Sequence, residues 1–566
     1  MDLKDKNLSL QFYNYLCNIV GSEEVVRTRR EIFTEMDIVK KTNGMTFISS
    51  GSKAEGLDLK GSDYDQMMQL TAIRVCESLN NVQYDPEKVL IVMETNDTKP
   101  GFTKLKLVNK LFLSFEILHD WCETVEEETY ISSKRFLEQY LTGGMIIHGP
   151  CLSTADGEYD SAPCFRCNEW ITSAQQWIHR SRTAWPHDIL VSSAVEYGVL
   201  FVPIGCKNSP NADLQWRISF SVTEKLLIHS FSHTQLLCYA LMKIILKELI
   251  KPKHGDLLCS YFLKTIMFWL SEEINPSEWK PENMMSCFYN CIKRLIYCVE
   301  YKLCLHYFIT ENNLFEDRFT DKEHKALLHT LRFIYESPWI SVFETSTFQN
   351  YRLESVNSHG MVLSASDLPC YMYMNILIVS IISQPIYSAI KRIVNVCLND
   401  ELCAYMLSLY ATEVLQSSHL NMMTTNKYSY HQYKRTLCFF KISLCSDSIS
   451  SWFLLASFFY KCNRFQECLV MIHYCLSRCN QNMIHLNFIH SLVEQTVFKE
   501  MKLRYGLLIA IKHLIIDKVF FRHPFCLLPD ELIPFIVDKM LWIHPVMYMN
   551  LLECLCYHHL GDCRGK

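Results

Sequence analysis

Met45-Thr-Phe-Ile-Ser-Ser-Gly-Ser-Lys-Ala-Glu-Gly-Leu-Asp-Leu-Lys-Gly-Ser-Asp-Tyr-Asp-Gln-Met-Met68 is the stretch on which the fold turns. It reads as a short strand ending at Gly51-Ser52, a turn or short helix, and a second strand opening at Asp63-Tyr64-Asp65. Residues i and i+2 of a strand share a face, so Asp63 and Asp65 present two carboxylates side by side. Two carboxylates that close raise each other's pKa unless a cation lies between them. Mg²⁺ or Mn²⁺ suits the position, because a hard cation of this kind is shared between a few carboxylates and substrate phosphates. Gly51 lets the backbone approach a phosphate closely, and Ser52 adds a hydroxyl. A phosphate cradle followed at short range by Asp-x-Asp is the layout of a nucleotidyltransferase.

Outward from this stretch, the 566 residues are enough for more than one domain. Hydrophobic content of 49% with 20% charged residues excludes a disordered chain. A net charge of −5 means that any nucleic-acid surface must be local. The 26 cysteines follow no framework spacing, and the charged N-terminus carries no signal-peptide pattern, so reduced thiols and a cytoplasmic location are expected. The longest uncharged run, Leu368 to Ile390, is interrupted by Asn375, Gln384 and Pro385. A helix pair broken at Pro385 is expected there, not a membrane span.

Apolar residues at helical spacing (Phe12, Leu16, Ile19, Val20) predict one long helix over 7–40. Strands are predicted at Met45–Ser50, Asp63–Leu70, Val89–Thr95, Phe102–Leu107 and Gly198–Ile204. From Thr223 the pattern is almost wholly helical. A mixed half followed by a helical half implies two lobes with a cleft between them. The third region, from about residue 345, is also helical. Its Trp452, Leu455, Ala456, Phe459, Cys468, Ile472 and Cys475 fit one tetratricopeptide-like helix pair. The domains expected are therefore 1–213, 214–344 and 345–566. The fold class is α+β: a bilobal, polymerase-β-like mixed sheet, a helical lobe and a helical extension.

A two-metal centre wants a third acid. Asp156, Glu158 and Asp160 are the candidates, and Asp160 is preferred because Tyr159 and Phe165 can anchor a strand beside that of Asp63; a solvated acidic loop is the alternative.

A resemblance enters here. Gly51-Ser52, Asp63-Tyr64-Asp65, Cys164-Phe-Arg-Cys-Asn-Glu-Trp170 and Trp177-Ile-His-Arg-Ser-Arg182 occur in order with Trp185-Pro186 and Val202-Pro-Ile-Gly205. Leu214-Gln-Trp-Arg-Ile-Ser-Phe-Ser-Val-Thr-Glu-Lys225, Cys259-Ser-Tyr-Phe-Leu-Lys-Thr265 and Asn312-Asn-Leu-Phe315 follow. The series, over roughly residues 10 to 340, resembles the Mab-twenty-one family, in its cyclic GMP-AMP synthase-like receptor branch. That resemblance implies a metal triad of Asp63, Asp65 and Asp160, with Ser52 on a triphosphate. It implies that Arg217, Ser219, Ser221 and Glu224 face nucleotides, and that Lys243, Ser260 and Tyr261 complete the base and phosphate contacts. ATP and GTP would be substrates, a cyclic dinucleotide the product, and double-stranded RNA the trigger in innate immunity.

The synthase itself carries a zinc-holding insertion after its Glu-Lys block, whereas here Lys225 runs directly through His229, His233 and Cys238 to Lys243. Those three lack a nearby fourth ligand and read as helix positions. Cys164-x-x-Cys167 has no second pair. Arg27, Arg29, Arg30, Lys40 and Lys41 offer a basic side for duplex nucleic acid, with Lys247, Lys251 and Lys253 as an extension. The alternative is a solvated charged face balanced by Glu23, Glu24 and Glu31. A second functional class stays open: a catalytically inactive scaffold docking a protein partner through its C-terminal region.

Overall fold

The computed structural model describes residues 3–42, 44–59, 61–79, 85, 88–108, 116–182, 184–349, 368–397, 400–417, 427–478, 483–486, 490–536 and 538–561. The chain forms two compact units, Met1–Ala365 and Ser366–Lys566.

In the first unit, eleven strands of the described residues join one sheet. They are β1 (Met45–Ser50), β2 (Tyr64–Cys76), β3 (Val89–Glu94), β4 (Phe102–Leu107), β5 (Cys122–Val125), β6 (Glu128–Ile131), β7 (Met145–His148), β8 (Cys151–Thr154), β9 (Tyr159–Cys167), β10 (Val199–Val202) and β11 (Gln215–Ser219). The five strands read from sequence are all present. β2 runs to Cys76, beyond the expected Leu70, because Ile73 and Val75 continue the alternation and pair with β3. Gly198 does not join β10; its N–H closes the preceding helix on Ala194.

Strands β2, β3, β4, β11, β10 and β9 pair in succession, and β9 returns to β2, so this part of the sheet closes on itself. Alternate residues Ile73 and Val75, Ile91 and Met93, Leu105 and Leu107, Phe165 and Cys167 fill one core with Phe201 and Trp216. β2 and β9 run parallel, with Tyr64 opposite Tyr159 and Asp65 opposite Asp160.

The expected single N-terminal helix is two, Leu3–Val20 and Glu23–Lys40. The break has a local cause: Gly21 sits at φ +125°, and Ser22 caps the second helix by accepting from the Val25 N–H. Apolar spacing runs through the break and hides it. The helical half contains Ser221–His229, His233–Ile245, Ser260–Glu273, Met284–Glu300 and Asp321–Glu336. His233–Ile245 is buried on nearly every side, starts in a Ser232/Gln235 capping box and passes into a π-helical segment, Leu246–Ile250.

The second unit has its own core, built on Phe453, Phe458, Ile472, Phe521, Tyr548 and Leu552. The helices Leu368–Ile381 and Ile386–Val396 flank Pro385, and among the described residues no helix is long and apolar enough to cross a membrane. The helix pair expected at tetratricopeptide spacing is Ser450–Lys461 with Phe465–Arg478, and Ala456, Cys468, Ile472 and Cys475 are buried in it. The wholly helical extension is corrected. Val519–Arg522 pairs with Met540–Ile543 in an antiparallel ladder, as their aromatic and branched residues favour.

Candidate functional site

Asp63 immediately precedes β2, Asp65 is its second residue, and Asp160 is the second residue of β9. The parallel register brings Asp65 and Asp160 level, and the i, i+2 rule turns Asp63 to the same side. One ligand atom from each lies within 4.8 Å of the others, and all three residues are half-buried. Of the three candidates for the third acid, the structure brings Asp160 into the group. Asp156 instead accepts from Thr154 Oγ1 at 2.5 Å and the Glu158 N–H at 3.0 Å in an exposed turn.

Burial, then the neighbouring Asp63 and Asp160, push the Asp65 carboxyl up to about 7. Lys264 opposes that shift without cancelling it. Three oxygen donors gathered against their own repulsion are a donor set suited to Mg²⁺ or Mn²⁺. Gly51 has a stricter task than admitting a phosphate. A Cβ built there would lie 1.6 Å from Asp65 Oδ2, at φ +67°, so only glycine leaves room for that carboxylate.

Ser52, in the short helix Gly51–Ala54, accepts a hydrogen bond from Lys243 Nζ. Burial pulls the Lys243 ammonium below its usual range, against the carboxylates of Glu55, Asp65 and Asp63. Ser52, Asp63, Lys243 and Ser260 line one cavity of about 490 Å³, together with Ser62, Lys247 and Lys251. The lysines recur every fourth residue along one helical face. Of these, Lys247 and Lys251 are the ones whose sequence pattern suggests a nucleic-acid surface. Lys247 Nζ donates to the Gly61 carbonyl at 3.1 Å, and Lys251 pairs with Asp256 at 2.8 Å.

Arg217, Ser219, Ser221 and Tyr261 lie outside the lining of that cavity. Arg217 is exposed on β11, and Ser219 Oγ accepts from the Ser221 N–H at 3.4 Å. Glu224, which the resemblance sets facing nucleotide, is 6% exposed and sits in an ion group. Lys264 Nζ lies 3.3 Å from Glu224 and 2.6 Å from Glu55. Burial opposes the Lys264 charge, but the two carboxylates outweigh it and hold the ammonium protonated. Tyr261 OH meets His306 Nε2 at 2.8 Å. His306 Nδ1 accepts from the N–H groups of Phe308 and Ile309, so Nε2 carries the proton and donates to the phenol. Burial, with Arg217 adding, takes this imidazole down to about 3. Neither Lys264 nor His306 was read from sequence; both sit on apolar helix or loop patterns that disguise them.

The basic side of the second helix is also corrected. Arg29 is 4% exposed and donates to the carbonyls of Val20 and Gly56. Arg30 donates to Glu55, His229 and Ile228 carbonyls. Both cap carbonyls at the ends of the helices Leu3–Val20, Gly51–Ala54 and Ser221–His229. Arg27 and Lys41 remain exposed, and Lys40 lies over the Tyr64 ring. His229 Nε2 contacts the Ala54 carbonyl at 2.9 Å, and the acidic triad is the sole metal-competent group among the described residues.

Residues 235–333 match the Mab-21 protein HhH/H2TH-like domain. That span holds Lys243, Ser260, Tyr261 and Lys264. This segment is a Mab-21-type C-terminal domain. Cyclic GMP-AMP synthase of Mus musculus is 32% identical over 127 residues, 20% of this chain and 25% of the mouse protein. Protein mab-21-like 3 of Danio rerio is 23% identical over 142 residues, 24% of this chain and 36% of the fish protein. The Xenopus laevis protein of the same name is 26% identical over 106 residues, covering 18% and 28%. The chain thus spans about a quarter to a third of the curated relatives that it matches.

Proposed function

We propose that this cleft is a nucleotidyltransferase site that makes a cyclic dinucleotide from ATP and GTP. The observation carrying the reading is the convergence of Asp63, Asp65 and Asp160 beside a cavity floored by Ser52 and Lys243. The Mab-21 match and the name of the mouse relative support the substrate class.

In this reading Asp63, Asp65 and Asp160 hold Mg²⁺ or Mn²⁺. Divalent ions there supply positive charge to the reacting phosphate and to the pyrophosphate that leaves. The chain itself contributes grip and orientation. The Ser52 hydroxyl and the Lys243 ammonium, already in contact, hold the triphosphate. Lys247 and Lys251 lie further along the same cavity, where they can carry β- and γ-phosphate charge. Ser260 adds a hydroxyl at the wall. A nucleoside hydroxyl oxygen then bonds to the α-phosphorus and the bond to pyrophosphate breaks; a second such transfer closes the ring. Arg217, exposed on β11, is available to a second nucleotide. A duplex RNA trigger would use the exposed Arg27 and Lys41 and the half-buried Lys40.

The test is purified full chain with labelled ATP and GTP, Mg²⁺ or Mn²⁺, with and without duplex RNA or duplex DNA. A cyclic product sensitive to Asp65→Asn is expected. Product absent under every condition overturns the enzymatic reading and leaves a scaffold.

A further inference from the structure

Tyr64 stands between Asp63 and Asp65, so strand alternation turns its ring to the face opposite the acids. Three residues of the helix Glu23–Lys40 close on that ring at i, i+4 and i+7. Phe33 stacks on it at 5.6 Å, and Lys40 Nζ lies 5.3 Å from its centre. Asp37 reaches it through Ser49 of β1, two residues before Gly51.

Ser49 has one hydroxyl proton and gives it to Asp37 Oδ1 at 2.5 Å. The Tyr64 hydroxyl, 2.8 Å from Ser49 Oγ, is therefore the donor there. Gln66 Nε2 donates to Tyr64 OH at 2.9 Å, and Tyr159 OH donates to Gln66 Oε1 at 3.0 Å. Every proton in the series Tyr159, Gln66, Tyr64, Ser49 points toward one carboxylate. Asp37 also accepts the Ser49 N–H at 2.7 Å and pairs with Lys225 Nζ at 3.3 Å; Lys225 in turn donates to the Ser49 carbonyl at 2.9 Å. Charge-assisted hydrogen bonds of this kind are roughly twice as strong as neutral ones, and aligned donors polarise one another.

The members of this series alternate with, or adjoin, the acids of the cleft. Tyr64 and Gln66 flank Asp65, and Tyr159 precedes Asp160 across the same register. We propose that Asp37, acting through Ser49 and Tyr64, is a positioning residue that fixes the spacing of Asp63, Asp65 and Asp160, so that the helix Glu23–Lys40 sets the cleft's affinity for divalent cations. The inference rests on the reading of that acidic group as a metal site. Its physical core is simple. Like charges drive the three acids apart, and the hydrogen bonds behind them resist the movement. Remove the terminal acceptor and the donors have no common direction, which frees the strand pair to relax outward.

The experiment is Mn²⁺ titration of the full chain, with free Mn²⁺ followed by electron paramagnetic resonance and the metal-free Tm recorded for each variant. Asp37→Asn and the near-isosteric Tyr64→Phe are each expected to weaken Mn²⁺ binding about tenfold, the scale for groups that orient metal ligands. The double variant should be no weaker than the worse single one, because both break one series. Glu31→Gln, exposed on the same helix, should bind as wild type. Wild-type affinity in both single variants overturns the inference and leaves the metal site standing. Additive losses in the double variant also overturn it. Absence of Mn²⁺ saturation in the wild type, matching Asp65→Asn, overturns both the inference and the metal reading beneath it.

Discussion

The strand pair β2 and β9 has two faces of opposite electrostatic character. On one, Asp63, Asp65 and Asp160 gather with their ligand atoms within 4.8 Å. Their repulsion and burial are only partly offset by Lys264. On the other, Tyr159, Gln66, Tyr64 and Ser49 hand protons in one direction to Asp37, itself paired with Lys225. Both are built from the same few residues, taken alternately along the chain. The difference separates a surface held in readiness from the surface that holds it. A strand can carry mutually repelling groups on one side when the other side leaves no donor or acceptor wanting.

The sharpest way to break this contrast is at the repelling face. Asp65→Asn should cut the proposed nucleotidyl transfer roughly 10⁴-fold, about 5 kcal/mol of barrier, measured as labelled product per time. Retained turnover would strip the face of its catalytic meaning. Next comes the flanking ion group. Lys264→Met should cost about 3–5 kcal/mol in denaturant unfolding, because it strands Glu55 and Glu224 as buried, unpaired carboxylates. A neutral result would show that water reaches them.

A subtler comparison uses pH. The folded-state value of Asp65, about 7 against an ordinary 3.8, means that the native chain binds this proton more tightly than the unfolded chain. Its stability contribution is complete below pH 4 and is lost as pH rises through 7. Without metal, Asp65→Asn should therefore exceed wild type at pH 8 by roughly 1–3 kcal/mol. The gap should close near pH 4. A gap constant with pH would mean the acids do not repel. Smallest is the matched face: Ser49→Ala should cost about 1–2 kcal/mol, with little pH dependence above pH 5, since it removes two hydrogen bonds and no titrating group.

Reading the chain alone recovered β1 and β4 to the residue and the Asp63/Asp65 pair, because alternation and Asp-x-Asp are local signals; Asp160, 95 residues on, was only one of three candidates until the parallel register brought it level. It misread what depends on distant carbonyls. Arg29 and Arg30 look like a basic stripe, yet their partners include Gly56, Ile228 and His229. Nothing near Arg30 announces an acceptor 198 residues away. The ion pair of Glu224 is equally hidden from the sequence: its partner Lys264 lies 40 residues on, within an apolar helix. The break at Gly21 was legible, since glycine followed by serine is a helix-start signal; the continuous apolar spacing masked it.

Gly51 carries a historical consequence. With Asp65 Oδ2 1.6 Å from where a β-carbon would stand, a side chain at 51 and a carboxylate at 65 exclude one another. Losing the acid relieves only part of this crowding, because the β-carbon of residue 65 would still lie 2.9 Å away and the backbone keeps its φ of +67°. Alanine at 51 beside an intact aspartate at 65 is the most crowded combination of the two positions. The glycine should therefore outlast the acid wherever relatives of this chain lose one of the two.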